Sequence, residues 1–187
     1  MDMKRERFSV RELTYIALFA VVITVCAWIT IPYAVPFTMQ TFAVFAALGL
    51  LGGKCGTMAI LVYILLGAVG LPVFSGFLGG FGVLLGQTGG YIIGFLASGL
   101  LYRLLEKRLG GRLWGKAVMM VMGLLVCYAF GTVWFMRVYT ASSGPVGLMT
   151  VLGWCVFPFI LPDLLKLGLA LLLTEELKKH VRLESAA

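Results

Sequence analysis

The sequence predicts an all-α integral membrane protein of six transmembrane helices with both termini in the cytoplasm. Three observations carry that expectation. Of the 187 residues, 61% are hydrophobic and only 12% charged, whereas a soluble domain carries about 25% charged residues. The apolar residues gather into six stretches divided by glycine, proline or charge, and a hydrocarbon core takes roughly 20 apolar residues per helix. The cationic residues are dense in alternate connections and nearly absent from the others. Six helices with short loops use the whole chain. Residues 1–187 are therefore expected to form one membrane domain, with a basic N-terminus over 1–12 and a polar tail over 176–187.

The first helix is expected over Leu13–Ile31, stopped by Pro32, because a proline pushes the residue before it out of helical backbone. The run is longer than the roughly 7–15 residues of a secretory signal and no small-residue cleavage pattern follows, so it reads as a membrane helix. An uncharged loop, IPYAVPFTMQT, comes next. The second segment, Phe42–Leu51, is short and ends at GGK; the third, Gly56–Val69, is closed by GLP. The fourth, fifth and sixth are Tyr91–Leu105, Ala117–Val138 and Val151–Thr174. Small residues at four-residue spacing (Gly52 and Gly56, Gly90, Gly94 and Ser98) suit close helix packing.

Charge sets the orientation. Lys4, Arg5, Arg7 and Arg11 precede the first helix, Lys54 follows the second, and Arg103, Lys107, Arg108, Arg112 and Lys116 surround the fourth-to-fifth connection. Lys178, Lys179 and Arg182 close the chain, and Arg137 is the lone cation on the other side. Cations next to membrane spans mark the cytoplasmic side. The outward loops are uncharged, and one of them, PVFSGFLGGFGVLLGQTGG, is apolar and glycine-rich. Irregular backbone at membrane depth survives only where protein buries it or a cavity adjoins it. That stretch is read as folding back to form a lid or pocket wall, the alternative being a turn resting on the membrane surface.

Two charges break the sixth segment. Asp163 and Lys166 lie three residues apart, on one helical face. A lone charge near the bilayer centre costs at least about 2.5 to 3.5 kcal/mol, so intramembrane charges mark either a site or a mutually neutralising pair. Pro162, just before them, is expected to open the helix or start a new one at Asp163, an arrangement suited to a transporter site.

Other functions find no support in these residues. The net charge of +7 resides in clusters beside apolar spans, the pattern of membrane flanks and not of nucleic-acid binding. Cys26, Cys55, Cys127 and Cys155 are scattered singly and the one histidine, His180, is in the tail, so no metal site and no cofactor is expected. Gly110-x4-Gly115-Lys116 imitates a phosphate-binding loop, but Ala117 stands where a magnesium-holding Ser/Thr belongs. No second acid accompanies Asp163 within its span, which argues against an enzyme.

Three blocks in order then resemble one family. IPYAVPFTMQTF, GLPVFSGFLGGFGVLLGQTGGYIIGF and FILPDLLKLGLA are similar to the signature segments of the BioY family, the biotin-specific substrate-binding components of energy-coupling-factor transporters. Gln87 replaces a proline usual in the family, Leu161-Pro162 replaces Pro-Gly, and Val21 stands where a second alanine of an Ala-x-x-x-Ala motif starting at Ala17 is usual. The resemblance implies an outward-facing pocket for biotin and assembly with a transmembrane subunit and two ATPases in the cell membrane, as a multi-pass protein. The implied ligand residues are Asp163, Lys166, Gln40, Thr38 and Tyr91, with Phe37, Phe74 and Trp154 around the apolar ring. Asp163 and Gln40 can accept from the ureido N–H groups; Lys166 and Gln40 can donate. Arg137 and exposed backbone N–H groups are candidates for the valerate carboxylate. Ala17, Ala20 and Thr24 are candidates for partner docking. The alternatives are a component for another vitamin or a six-helix channel.

Overall fold

The computed structural model describes residues 8–32 and 35–180, and most of them are helical. The basic residues Lys4, Arg5, Arg7 and Arg182, which contribute to the orientation argument, lie outside the described residues. Helix α1 spans Val10–Trp28 and opens with a capping box: the Glu12 N–H donates to Ser9 Oγ, and the Ser9 N–H donates to Glu12 Oε2 at 2.7 Å. It ends before the expected Ile31. Thr30–Ile31 (β1) instead pairs antiparallel with Phe37–Thr38 (β2), Thr30 opposite Thr38. Ile31 precedes Pro32, which favours extended backbone. This four-residue ribbon and an isolated antiparallel bridge between Phe74 and Leu78 are the departures from an all-helical fold among the described residues.

Helix α2, Gln40–Ala68, joins the expected second and third segments. It is not straight. Gly52 has φ 78° and ψ 172°, a conformation glycine adopts without Cβ strain. A Cβ placed on Gly56 would meet Leu48 Cα at 2.8 Å, although eight residues along a straight helix span about 12 Å. The chain therefore reverses at Gly52, and its two arms lie side by side. The Gly53 N–H, freed by the break, donates to Glu106 Oε2 at 2.7 Å.

The glycine-rich stretch folds into a single 3-10 turn at Ser75–Phe77 and a short helix α3, Phe81–Leu85. Helix α4 covers Gly89–Leu109 and α5 covers Leu113–Ser143. They pack through small residues: Gly90 lies against Trp134, Gly94 against Cys127, and Ser98 Oγ donates to the Gly123 carbonyl at 2.6 Å. Gly144 at φ 100° and Pro145 end α5. The expected sixth helix is two: α6, Leu148–Cys155, and α7, Phe157–His180, separated at Val156 (φ −126°, ψ −58°). The break thus falls before Pro158, not at Pro162. Pro158 occupies the first turn, where no donor is needed, while Pro162 forfeits only the bond to the Pro158 carbonyl and stays inside the helix.

Seven α-helices are therefore present among the described residues, in place of the six expected. Four are long and apolar enough to cross a membrane: α1, α2, α5 and α7. Leu18, Val21, Leu104, Val133, Leu165 and Leu172 are all more than half exposed, an apolar exterior that suits a lipid environment. The charges gather at one end. There Cys55 Sγ meets Glu12, Gly53 meets Glu106, and Lys116 pairs with Glu175 at 2.6 Å. The start of α1 and the last turns of α7 lie at that same end.

Candidate functional site

A polar cluster sits inside this apolar body at the opposite end, where α2 begins. Asp163 and Lys166 are 3% and 5% exposed. Their i, i+3 spacing on α7 brings Lys166 Nζ to 2.9 Å from Asp163 Oδ1. The ammonium also donates to the Thr38 carbonyl at 2.7 Å and lies 3.9 Å from the centroid of the Phe37 ring. The Tyr128 hydroxyl, on α5, donates to Asp163 Oδ2 at 2.6 Å. The carboxylate is thus held from both sides by donors on two helices, and Lys166 ties α7 to β2.

Gln40 opens α2 beside this cluster. Its Nε2 donates to the Tyr63 hydroxyl at 2.6 Å, and its Oε1 accepts from Thr38 Oγ1 at 3.3 Å. Tyr91, near the start of α4, shares a hydrogen bond with Thr132 at 3.4 Å. Phe74 is 1% exposed, seated against Gly67 and edge-on to Tyr63 with centroids 5.5 Å apart.

These side chains surround one compact cavity of about 120 Å³. The segment leading into α2 contributes Val35, Pro36 and Thr38, α2 contributes Gln40 and Thr41, and the glycine-rich stretch contributes Phe74, Ser75, Leu78, Val83 and Thr88. Tyr91, Ile92 and Phe95 come from α4, Leu124, Cys127 and Tyr128 from α5, and Cys155, Phe159, Asp163 and Lys166 from α6 and α7. The stretch that reads as a pocket wall therefore is one. A mostly apolar lining with a few convergent polar groups is the pattern of a ligand site.

Six of the eight candidate ligand residues line this cavity: Asp163, Lys166, Gln40, Thr38, Tyr91 and Phe74. Phe37 stands behind the wall, under Lys166 and stacked on Phe159 at 5.7 Å. Trp154 does not reach the cavity wall; it packs on Tyr139, centroids 5.7 Å apart, and Cys155 and Phe159 take the wall instead. The bend at Val156 re-aims the residues that follow it. Arg137 lies outside the cavity, on the outer face of α5, so it is no partner for a ligand carboxylate there. Ala20 and Thr24 are 1% and 7% exposed and face the interior of this chain, which removes them as a docking surface; Ala17 is exposed. Tyr128, Phe95 and Phe159 are members the sequence reading missed. A tyrosine amid the Met- and Val-rich run of α5 was the available signal for the first.

Set beside known proteins, the chain matches the family model described as BioY family over residues 2–183. It is 41% identical over 170 residues to a biotin transporter BioY of Thermotoga maritima, covering 90% of this chain and 96% of that one. It is 38% identical over 169 residues to a probable biotin transporter BioY of Pyrococcus horikoshii, again covering 90% and 96%. A solved structure, described as the S-component for biotin from an ECF-type ABC transporter, superposes with a TM-score of 0.81 at 28% identity, covering 96% of this chain and 95% of that one.

Proposed function

Because the chain belongs to the BioY family, we propose that it takes up biotin as the substrate-specific membrane component of an energy-coupling-factor transporter in the plasma membrane. It is a transport component and not an enzyme. The observation that carries the reading is the oriented carboxylate in the cavity wall. A carboxylate has about four acceptor positions. Tyr128 and Lys166 occupy one on each oxygen of Asp163, which leaves one on each for the two N–H donors of a ureido ring. Lys166 and Gln40 supply donors for the ureido carbonyl. Phe74, Tyr91, Phe95 and Phe159 enclose the apolar thiophane ring, and the hydroxyl of Thr88, on the glycine-rich wall, meets the valerate carboxylate.

Counting the two arms of α2 separately and α6–α7 as one, the chain makes six traverses. The positive-inside rule then places the charged end, and with it both termini of one domain over residues 1–187, in the cytoplasm. Energy comes from elsewhere: Lys116 of the imitation phosphate loop is committed to Glu175. A transmembrane subunit and two ATPases are the expected partners. The exposed side of α1 around Ala17 is the docking face. Ala17→Trp is expected to abolish uptake by the assembled complex while the isolated chain still binds biotin; normal uptake would place docking elsewhere.

The function itself is tested by titrating the purified chain in detergent with biotin in a calorimeter. Nanomolar binding is expected, within reach of a small ligand that gains up to about 1.5 kcal/mol per heavy atom. Folded protein that shows neither heat nor competition with labelled biotin would refute the reading.

A further inference from the structure

One exposed cation among the described residues stands apart from the charged end of the bundle. Arg137 is exposed on α5 and, among the described residues, has no hydrogen-bond or ion-pair partner. The chain cannot readily supply one. Of its eight acidic residues, Asp163 is buried and already paired, and Glu12, Glu106, Glu175 and Glu176 belong to the opposite end of the bundle. Asp2, Glu6 and Glu184 belong to the terminal segments, next to that same end in sequence.

The depth of Arg137 is set by α5. Lys116 and Arg137 are consecutive charges on that helix, 21 positions apart with none between. At 1.5 Å per residue this is about 31 Å, against a hydrocarbon core of about 30 Å. With Lys116 at one headgroup boundary, Arg137 reaches the other. Below it an open stripe of α5 runs through Val126, Ala129, Phe130, Val133 and Trp134. Phe130 and Val133 are 40% and 60% exposed. The Trp134 ring stacks on Phe130 at 6.3 Å, and its Nε1 donates to the Gly86 carbonyl at 3.0 Å.

We infer that this face binds an anionic phospholipid, its headgroup phosphate on the Arg137 guanidinium and an acyl chain along Phe130 and Val133. An arginine fork matches phosphate geometry, the stripe is apolar over the depth an acyl chain occupies, and no carboxylate among the described residues competes. A lipid so placed touches Trp134, which braces the turn between α3 and α4 where Thr88 enters the cavity wall.

The test uses the full chain in nanodiscs of phosphatidylcholine with 20 mol% (roughly the anionic share of a charged membrane) of phosphatidylglycerol. Either lipid carries a diazirine on its acyl chain, and the adducts are mapped by mass spectrometry. Labelling within residues 126–142 is expected to favour phosphatidylglycerol by about fivefold, the discrimination one arginine supplies at an anionic headgroup. Arg137→Gln is expected to bring the two lipids to parity there and Arg137→Lys to retain much of the preference, both variants still binding biotin. Equal labelling by the two lipids in the wild type, a preference that persists in Arg137→Gln, or crosslinks to a second copy of the chain in place of lipid would each overturn the assignment.

Discussion

Helix α7 carries two ion pairs of the same spacing and length in opposite surroundings. Asp163 and Lys166 are i, i+3 at 2.9 Å with side chains 5% and 6% exposed; Glu176 and Lys179 are i, i+3 at 2.9 Å with side chains 63% and 67% exposed. The sequence motif is nearly the same and the physics is not. Exposed pairs contribute about 0 to 1 kcal/mol and are screened by salt. A buried pair must be satisfied on every side, and removing one partner strands the other charge. Tyr128 and the Thr38 carbonyl provide that satisfaction at the inner pair, and the cavity beside it gives the remaining acceptor positions a use. Position, not spacing, turns one pair into a candidate site and leaves the other as a solvated tail.

Three substitutions break or sharpen the contrast. Asp163→Asn has the largest expected effect: a fall in biotin affinity of about tenfold or more, since hydrogen bonds to a charged group contribute about 1.5 to 3 kcal/mol, with the helical fold retained by circular dichroism. A lower melting temperature with unchanged affinity in calorimetry would instead make the inner pair a packing device. Tyr128→Phe keeps the ring and deletes one donor to Oδ2. Affinity is expected to fall about fivefold, the effect of a hydrogen bond worth about 1 kcal/mol, with little change in melting temperature; an unaltered binding isotherm would show that Lys166 alone orients the carboxylate. Glu176→Gln should change neither affinity nor, beyond about 0.5 kcal/mol, stability. A large loss of either would mean that the outer pair is not the passive member of the comparison.

Much of the site was readable before any coordinates. A charge in an apolar helix stands out whatever the fold, and i, i+3 spacing places Asp163 and Lys166 on one face by helical geometry alone. The Gln40 and Thr38 segment and the wall from Phe74 to Thr88 were visible as uncharged, proline- and glycine-rich backbone between spans. Ser9 and Glu12 carried a start signal for α1 that the reading of a helix from Leu13 passed over, while the alternation of cations announced which ends belong together. These signals are local in sequence, or follow from the cost of charge in hydrocarbon, and need no knowledge of neighbours.

Tertiary structure decided the rest. Helix α1 is apolar all round, so no periodicity separates the face that packs on the chain from the face that meets lipid; only packing shows Ala20 and Thr24 inward and Ala17 outward. Tyr128 is 35 residues from Asp163 in sequence, and nothing local aims its hydroxyl at that carboxylate. The reversal at Gly52 and the break at Val156 depend on single backbone conformations, and the second helps decide that Phe159, and not Trp154, reaches the cavity. In a chain whose surface and core are equally apolar, composition marks where polar groups must be hidden. Which apolar face does the hiding is settled by the fit of helix against helix.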